Sequence, residues 1–129
     1  MTKLTEMLKK EYVDLDLPVR QAVVVPSTRE KSKPISLAEQ KRRAEAVKKY
    51  LAKTFGGYTG LKGQGGYVSD DGKLIEENVL KVESFTDRKT FKNNQAKLMR
   101  QMETWRRKWG QESMGYELED DFKTIRKRR

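Results

Sequence analysis

Apolar side chains recur at helical spacing in two segments of the chain. Residues three or four positions apart share one face of a helix, and the first segment places four apolar side chains in this way: Ala44, Val47, Leu51 and Phe55. A second seam steps by three and four through Phe91, Gln95, Leu98, Met102, Trp105 and Trp109. We expect two amphipathic helices, with both tryptophans packed on a sheet rather than stacked on a ligand or a base.

Capping residues predict where these helices begin and end. Ser36 is followed three residues later by Glu39, a capping box in which each side chain satisfies a free amide at the helix start. Asp87 is placed to cap the second helix. Glycine accepts the left-handed conformation of a helix C-terminus, so we expect the helices to end at Gly56-Gly57 and at Gly110.

Strand patterns surround the two helices. The β-branched run "QAVVVPS" predicts a central strand, and "ESMGYELED" alternates apolar with small or polar residues as a half-buried strand does. Between the helices, the segment from Gly60 to Phe85 predicts a hairpin that turns at Ser69–Gly72. The glycine-rich run 55–72 therefore separates a helix from a hairpin, and it lacks the Gly-Lys-Ser/Thr ending and the strand-to-helix context of a phosphate-binding loop.

The element order is β-α-β-β-α-β, which predicts an α+β, ferredoxin-like fold: a four-stranded antiparallel sheet with both helices on one face. Right-handed crossovers lead us to expect the first and last strands in the middle. We divide the chain into an N-terminal helix and lead-in (1–20), the ferredoxin-like domain (21–119) and a flexible basic tail (120–129). The lead-in helix is predicted from Leu4, Met7, Leu8 and Tyr12.

Composition narrows the chemistry. The chain has no cysteine and no histidine, which excludes disulfides, thiolate chemistry and the commonest general base and transition-metal ligand. We therefore expect no cofactor and no metal. No apolar run approaches the roughly 18 residues of a membrane span, so we expect a cytoplasmic protein without a membrane partner, in a host cell if it is viral.

Charge gives the leading functional hypothesis. The net charge is +10, and residues 31–53 and 86–109 each contribute +6, while residues 123–129 contribute +5. A broad cationic helix face with a cationic tail is typical of phosphate binding. We expect a non-enzymatic nucleic-acid-associated protein, for example a ribonucleoprotein subunit, with RNA, DNA or a further protein as partner. Its predicted contacts are Lys41, Arg42, Lys48, Lys49, Lys53, Lys89, Lys92, Arg100, Arg106, Arg107, Arg126, Lys127, Arg128 and Arg129.

Two alternatives stay open. Carboxylates can collect Mg²⁺ for phosphodiester hydrolysis without histidine, and the candidate ligands of such a nuclease are Glu77, Glu83 and Glu112. The chain can also be an inhibitor module that binds another protein through a sheet edge or the N-terminal helix. Arg29, in the loop after the first strand, and Lys62, in the glycine-rich run, are additional candidates for anion contact.

The chain resembles a group of short phage, plasmid and mobile-element proteins. The resemblance rests on "VPST", "FGGYT", "GGYVSDDGKLIEENV" and "WGQES", and it spans about residues 22–118. It implies the βαββαβ fold and a mobile-element setting, and it carries no activity. The polar residues within these motifs become second-rank site candidates: Ser27, Thr28, Thr59, Glu77, Gln111 and Glu112.

Overall fold

The computed structural model describes residues 6, 11, 15–30, 33–119 and 121–128. Its elements in chain order are β1 (Val19–Pro26), β2 (Thr28–Arg29), β3 (Lys33–Pro34), α1 (Leu37–Phe55), β4 (Thr59–Val68), β5 (Leu74–Thr86), α2 (Arg88–Lys108), β6 (Met114–Leu118) and β7 (Asp121–Ile125). The predicted helix near the N-terminus falls outside the described residues, apart from Glu6 and Glu11, which are helical and exposed.

The predicted α+β, ferredoxin-like architecture is confirmed, with one strand more than expected. The main sheet has five strands in the order β4-β5-β1-β6-β7, and every neighbouring pair is antiparallel. The fifth strand is Asp121–Ile125, which we had placed in a flexible tail. It pairs with β6 because the chain reverses at Glu119, a residue in the left-handed region with φ of 56°.

Strand β1 is the centre of the sheet, as its apolar run predicts, with β5 on one side and β6 on the other. The expectation that the first and last strands are the middle pair of the four-stranded unit was wrong. In the four-stranded βαββαβ unit the middle strands are β1 and β5, and β6 becomes internal because β7 covers its outer edge.

One core lies between the sheet and the two helices. Val47 and Leu51 of α1 and Leu98 and Met102 of α2 are fully buried in the same cluster as Val23 of the central strand. Trp105 and Trp109 also belong to it, with their rings stacked at 5.6 Å between centroids. Both helices therefore pack on one face of the sheet, and the structural interpretation of the tryptophan seam is confirmed.

The predicted helix ends are present, with one change of partner. The Glu39 amide donates to Ser36 Oγ at 3.1 Å, and the Thr90 amide donates to Asp87 Oδ1 at 2.8 Å. The Glu39 carboxylate does not return to its cap as a capping box requires, because it accepts hydrogen bonds from Arg42 and Arg43 instead. Gly56 ends α1 in the left-handed conformation, with φ of 105°.

The β4–β5 hairpin is longer than the strand beside it. Strand β1 stops at Pro26, opposite Val79 of β5, whereas β4 and β5 stay paired out to Val68 and Leu74. Residues 64–78 therefore form a two-stranded arm beyond the end of β1. The base of this arm lies beside the loop that leaves the central strand.

Candidate functional site

The loop that follows β1 meets the base of the hairpin arm. The chain bends at Ser27, and Thr28 is then only 7% exposed. The Thr28 hydroxyl donates to Glu77 Oε2 at 2.7 Å. Glu77 is half-buried on β5, two residues beyond the last pair that β5 makes with β1. The Glu77 carboxylate is thus held by one hydroxyl beside the end of the central strand.

A buried arginine supports this loop from the helix side. Arg43 of α1 is 2% exposed, and its Nη1 donates to Pro26 O at 2.8 Å and to Thr28 O at 2.9 Å. Its Nη2 donates to Trp109 O at 3.5 Å, and its guanidinium lies 5.2 Å from the centroid of the Trp109 ring. Burial lowers the pKa of Arg43, and the hydrogen bond to Glu39 partly opposes that shift. Arginine remains charged, so a positive charge lies close behind Thr28 and Glu77.

Gln111 completes the support. Its Nε2 donates to Thr28 O at 2.6 Å and to Trp109 O at 3.0 Å, so two side chains from different segments hold the same two carbonyls. The structure thus brings together Thr28, Glu77 and Gln111, which lie in different sequence motifs and up to 83 positions apart. We name these three residues, with Arg43, the Thr28 cluster.

An open groove of about 650 Å³ lies on the helix side of the cluster. Arg43 and Trp109 form part of its lining, together with Arg29, Arg42 and Lys108. Its N-terminal wall is the start of α1. Most of its charged lining is basic, so it favours anions over cations.

The other second-rank candidates lie away from the Thr28 cluster or contribute only backbone. Ser27 accepts a hydrogen bond from Ile35 through its main-chain carbonyl. Thr59 pairs with Glu83 at the opposite end of the hairpin, about 20 Å along the strand from Glu77 at the usual rise per residue. Lys62 and Glu112 are exposed. Arg29 is exposed and lines the groove.

The predicted set of metal ligands does not assemble. Within the residues that the structure describes, no three acidic side chains lie close enough to hold a metal ion. Glu83 instead accepts from Arg20 at 2.7 Å, in a network in which Glu117 also bonds Arg20 and Lys81. Hydrogen bonds from Lys81 and Arg20 hold the pKa of Glu117 below its ordinary value. Glu83 and Glu117 are thus neutralised by Arg20 and Lys81, and no hydrogen bond or ion pair within the described residues joins Glu77 to this network.

The cationic residues of the predicted nucleic-acid surface lie at the surface, although several are paired. Arg42 bonds Glu39, while Arg106 and Arg107 both bond Glu103. Lys48 lies over the Tyr58 ring at 5.7 Å. The remaining ones are exposed, apart from Arg129, which lies outside the described residues: Lys41, Lys49, Lys53, Lys89, Lys92, Arg100, Arg126, Lys127 and Arg128.

Arg43 was missed from the sequence although a signal for it exists. Positions 43, 47, 51 and 55 are four apart, and all four are buried in α1. We began that stripe at Ala44 on the spacing of apolar residues alone, which passes over a charged residue on the same face. The signal in the sequence was an arginine four residues before Val47, on the same helix face as the buried apolar residues.

The fold and the Thr28 cluster define a small α+β protein with a polar site at the edge of a ferredoxin-like sheet. Two solved structures are similar to it. One is phage SAM lyase in complex with S-methyl-5'-thioadenosine, with 15% sequence identity, a TM-score of 0.59 and coverage of 88% of this chain and 95% of that chain. The other is phage SAM lyase in the apo state, with 16% identity, a TM-score of 0.57 and coverage of 83% and 87%.

At such low identities the likeness shows a shared fold, and it is consistent with a phage-related protein. A scan against family models finds no match, and a search of curated proteins finds none either, so the four sequence motifs are not confirmed. Among the described helices, none is long and apolar enough to cross a membrane.

The comparison contradicts our interpretation of the chain as a non-enzymatic nucleic-acid-binding protein, because the structures that share its fold are of an enzyme, a lyase of SAM. The Mg²⁺-dependent nuclease and the inhibitor module do not match these structures either. The physical reason for the error is that a dense cationic surface also serves solubility. Here part of that surface is neutralised by Glu39 and Glu103.

Proposed function

We propose that this chain binds S-adenosylmethionine at the Thr28 cluster and cleaves one carbon–sulfur bond of its sulfonium, releasing S-methyl-5'-thioadenosine. The observation that carries the proposal is the likeness to phage SAM lyase, which extends over 88% of this chain. The proposal is also supported by the meeting of Thr28, Glu77 and Gln111, because these residues form a polar site in a chain without histidine or cysteine.

The charges of the ligand favour Glu77 over the basic groove. At neutral pH S-adenosylmethionine carries a sulfonium, an ammonium and a carboxylate, and is therefore a net cation. The lining of the groove is mainly basic and repels such a ligand. Glu77 uses Oε2 to accept from Thr28, and within the described residues no hydrogen bond engages Oε1. In this proposal that oxygen accepts from a ribose hydroxyl or from the ligand ammonium.

The reaction needs few groups from the protein, because the sulfonium is already a good leaving group. When the carbon–sulfur bond breaks, its electron pair passes to sulfur, which leaves as the neutral thioether. The carbon that loses the sulfur regains an electron pair in one of two ways: a neighbouring carbon loses a proton to a base and a double bond forms, or the substrate's own carboxylate attacks it and closes a lactone. In the first route Glu77 is the base. In the second it only binds and orients the substrate.

The test is to incubate the purified chain with S-adenosylmethionine and to quantify S-methyl-5'-thioadenosine by liquid chromatography and mass spectrometry. Glu77→Gln removes the charge without changing the shape. In the route in which Glu77 is the base, we expect this variant to lower kcat/KM about 100-fold, the lower end of the range for a lost acid–base group; in the lactone route we expect a smaller loss. Glu76→Gln is the matched control, because Glu76 is the exposed neighbour on the same strand. The second products of the two routes are isomers of equal mass, so proton NMR distinguishes them: the product of proton loss shows vinyl protons and the lactone shows none.

Thr28 offers a finer test of the same site. Thr28→Val keeps the shape of the side chain and removes the donor to Glu77, whereas Thr28→Ser keeps the hydroxyl. We expect the valine variant to lose activity and the serine variant to retain most of it. Release of no thioether by the wild-type chain, or equal loss in Glu76→Gln and Glu77→Gln, contradicts the proposal.

A further inference from the structure

The proposed reaction does not explain why one buried arginine, Arg43, donates several hydrogen bonds to the short loop after β1. Arg43 makes hydrogen bonds to three main-chain carbonyls and an ion pair with Glu39 at 3.3 Å. Burying a guanidinium is costly unless its donors are satisfied. A tie between the two helices alone needs only the bond to Trp109 O, which is the longest of the three at 3.5 Å.

The two shorter bonds hold the bend after β1. Nη1 of Arg43 reaches Pro26 O at 2.8 Å and Thr28 O at 2.9 Å, the carbonyls on either side of Ser27. One nitrogen that holds both carbonyls restricts rotation of the chain at the bend. Gln111 also holds Thr28 O, but no bond from it reaches Pro26. Arg43 is thus the side chain that constrains both ends of the bend.

The orientation of the bend determines where the Thr28 hydroxyl points. Thr28 is β-branched, so its side chain has few rotamers once the backbone is held. In the observed orientation its hydroxyl meets Glu77 Oε2. From these contacts we propose that Arg43 is a positioning residue for the site: it holds the bend at Ser27 so that Thr28 keeps the Glu77 carboxylate in the orientation that binds the ligand. This inference rests on the function proposed above.

The first experiment measures ligand affinity in a double-mutant cycle, with S-methyl-5'-thioadenosine as the probe in isothermal titration calorimetry. Lysine at position 43 keeps the charge but lacks the planar fork that holds two carbonyls. We expect Arg43→Lys to weaken binding about 10-fold in the wild-type background and less than about 2-fold in a Thr28→Val background. Equal losses in the two backgrounds overturn the proposal, because Arg43 then does not act through Thr28.

A control with a similar loss of stability separates positioning from general weakening. Val47 is fully buried in α1 one turn from Arg43 and is part of the hydrophobic core. Val47→Ala is expected to lower the melting temperature and to leave ligand affinity unchanged. Loss of affinity in Val47→Ala equal to that in Arg43→Lys overturns the proposal. Arg43→Gln, which buries no charge, takes the place of the lysine variant if that variant does not fold.

A ligand-free measurement keeps the two proposals separable. Three-bond couplings between the Thr28 methyl carbon and the backbone nitrogen report the χ1 rotamer by NMR. We expect one rotamer in the wild type and in Val47→Ala, and rotamer averaging in Arg43→Lys. Averaging in the wild type, or a single unchanged rotamer in Arg43→Lys, overturns the positioning role. If the rotamers behave as expected but the wild-type chain binds no thioether, the proposed function alone has failed.

Discussion

Removing the Tyr116 hydroxyl from the core should lower the free energy of unfolding, because it leaves the buried side-chain amide of Gln21 without a hydrogen-bond partner. The Tyr116 hydroxyl donates to Gln21 Oε1 at 2.7 Å, and both residues are at most 1% exposed. Burial raises the pKa of Tyr116, so its hydroxyl remains a donor at any ordinary pH. Within the described residues Gln21 Nε2 has no hydrogen-bond partner. Tyr116→Phe therefore leaves the whole Gln21 amide unpaired.

The magnitude follows from this geometry. A buried polar group left without a partner costs about 1–3 kcal/mol, so we expect Tyr116→Phe to lower the free energy of unfolding by about 2 kcal/mol. In a domain of this size that lowers the melting temperature by roughly 6–10 °C. Gln21→Leu should cost less, because it strands the Tyr116 hydroxyl but removes an amide nitrogen that already lacks a partner. The double variant removes every polar atom of the pair and should recover wild-type stability or exceed it.

Urea unfolding followed by the fluorescence of Trp105 and Trp109, which lie in the same core, measures all four proteins. The double-mutant cycle is internally controlled, because each single variant is compared with the double in the same assay. A Tyr116→Phe variant as stable as the wild type would show that the hydroxyl does not hold the Gln21 amide. A double variant that loses the sum of the two single losses would show that the two side chains are not coupled.

Two further predictions concern a helix end and an acidic group. Gly56→Ala should lower the free energy of unfolding by about 1 kcal/mol, because a side chain at φ of 105° is strained. The adjacent Gly57→Ala should leave it unchanged, and equal losses of the two variants in urea unfolding would contradict the prediction. Hydrogen bonds from Arg106, and next from the Lys127 amide, hold the pKa of Glu103 well below its ordinary value. That contribution to stability is complete above the unfolded pKa and is lost as the pH falls. The deficit of Glu103→Gln should therefore shrink between about pH 7 and about pH 3, and a deficit independent of pH would exclude this role.

Much of the secondary structure was predictable because it depends on neighbouring residues. The capping bond at Ser36, the left-handed Gly56 and the turn at Gly72 all depend on local backbone geometry. The spacing that buries Leu98 and Trp105 is likewise a property of a single helix. In these places the local signal and the final fold agree, as expected for a sequence whose levels of structure are consistent.

The strand β7 was missed because its pattern is weak. Four of the five residues from Asp121 to Ile125 are exposed, and they alternate little in polarity. A strand at a sheet edge is selected by the hydrogen-bonding groups that its neighbour leaves unpaired, rather than by burial of its own side chains. Lys123 within the strand and Arg126 directly after it made the segment resemble a tail.

The candidate site could be predicted only in part. Thr28, Glu77 and Gln111 were selected as motif residues, but no pattern along the chain indicated that they meet, since they belong to a loop, a strand and the segment after a helix. Arg43 was not selected at all. The charge pattern, by contrast, predicted more than the structure supports. It indicated a nucleic-acid-binding surface, but it could not show that Glu39 and Glu103 already pair with some of its cations.

Local periodicity and capping chemistry were enough to place two helices, a hairpin and a buried central strand, since each depends on contacts within a few residues. Strand order, the fifth strand and the Thr28 cluster depended on which distant segments meet once the core has closed. The reason is that a hydrogen bond such as that from Thr28 to Glu77 spans 49 positions and leaves no periodic trace in the sequence. The antiparallel pairing of β1 with β5, which ends with Pro26 opposite Val79, brings its two partners together.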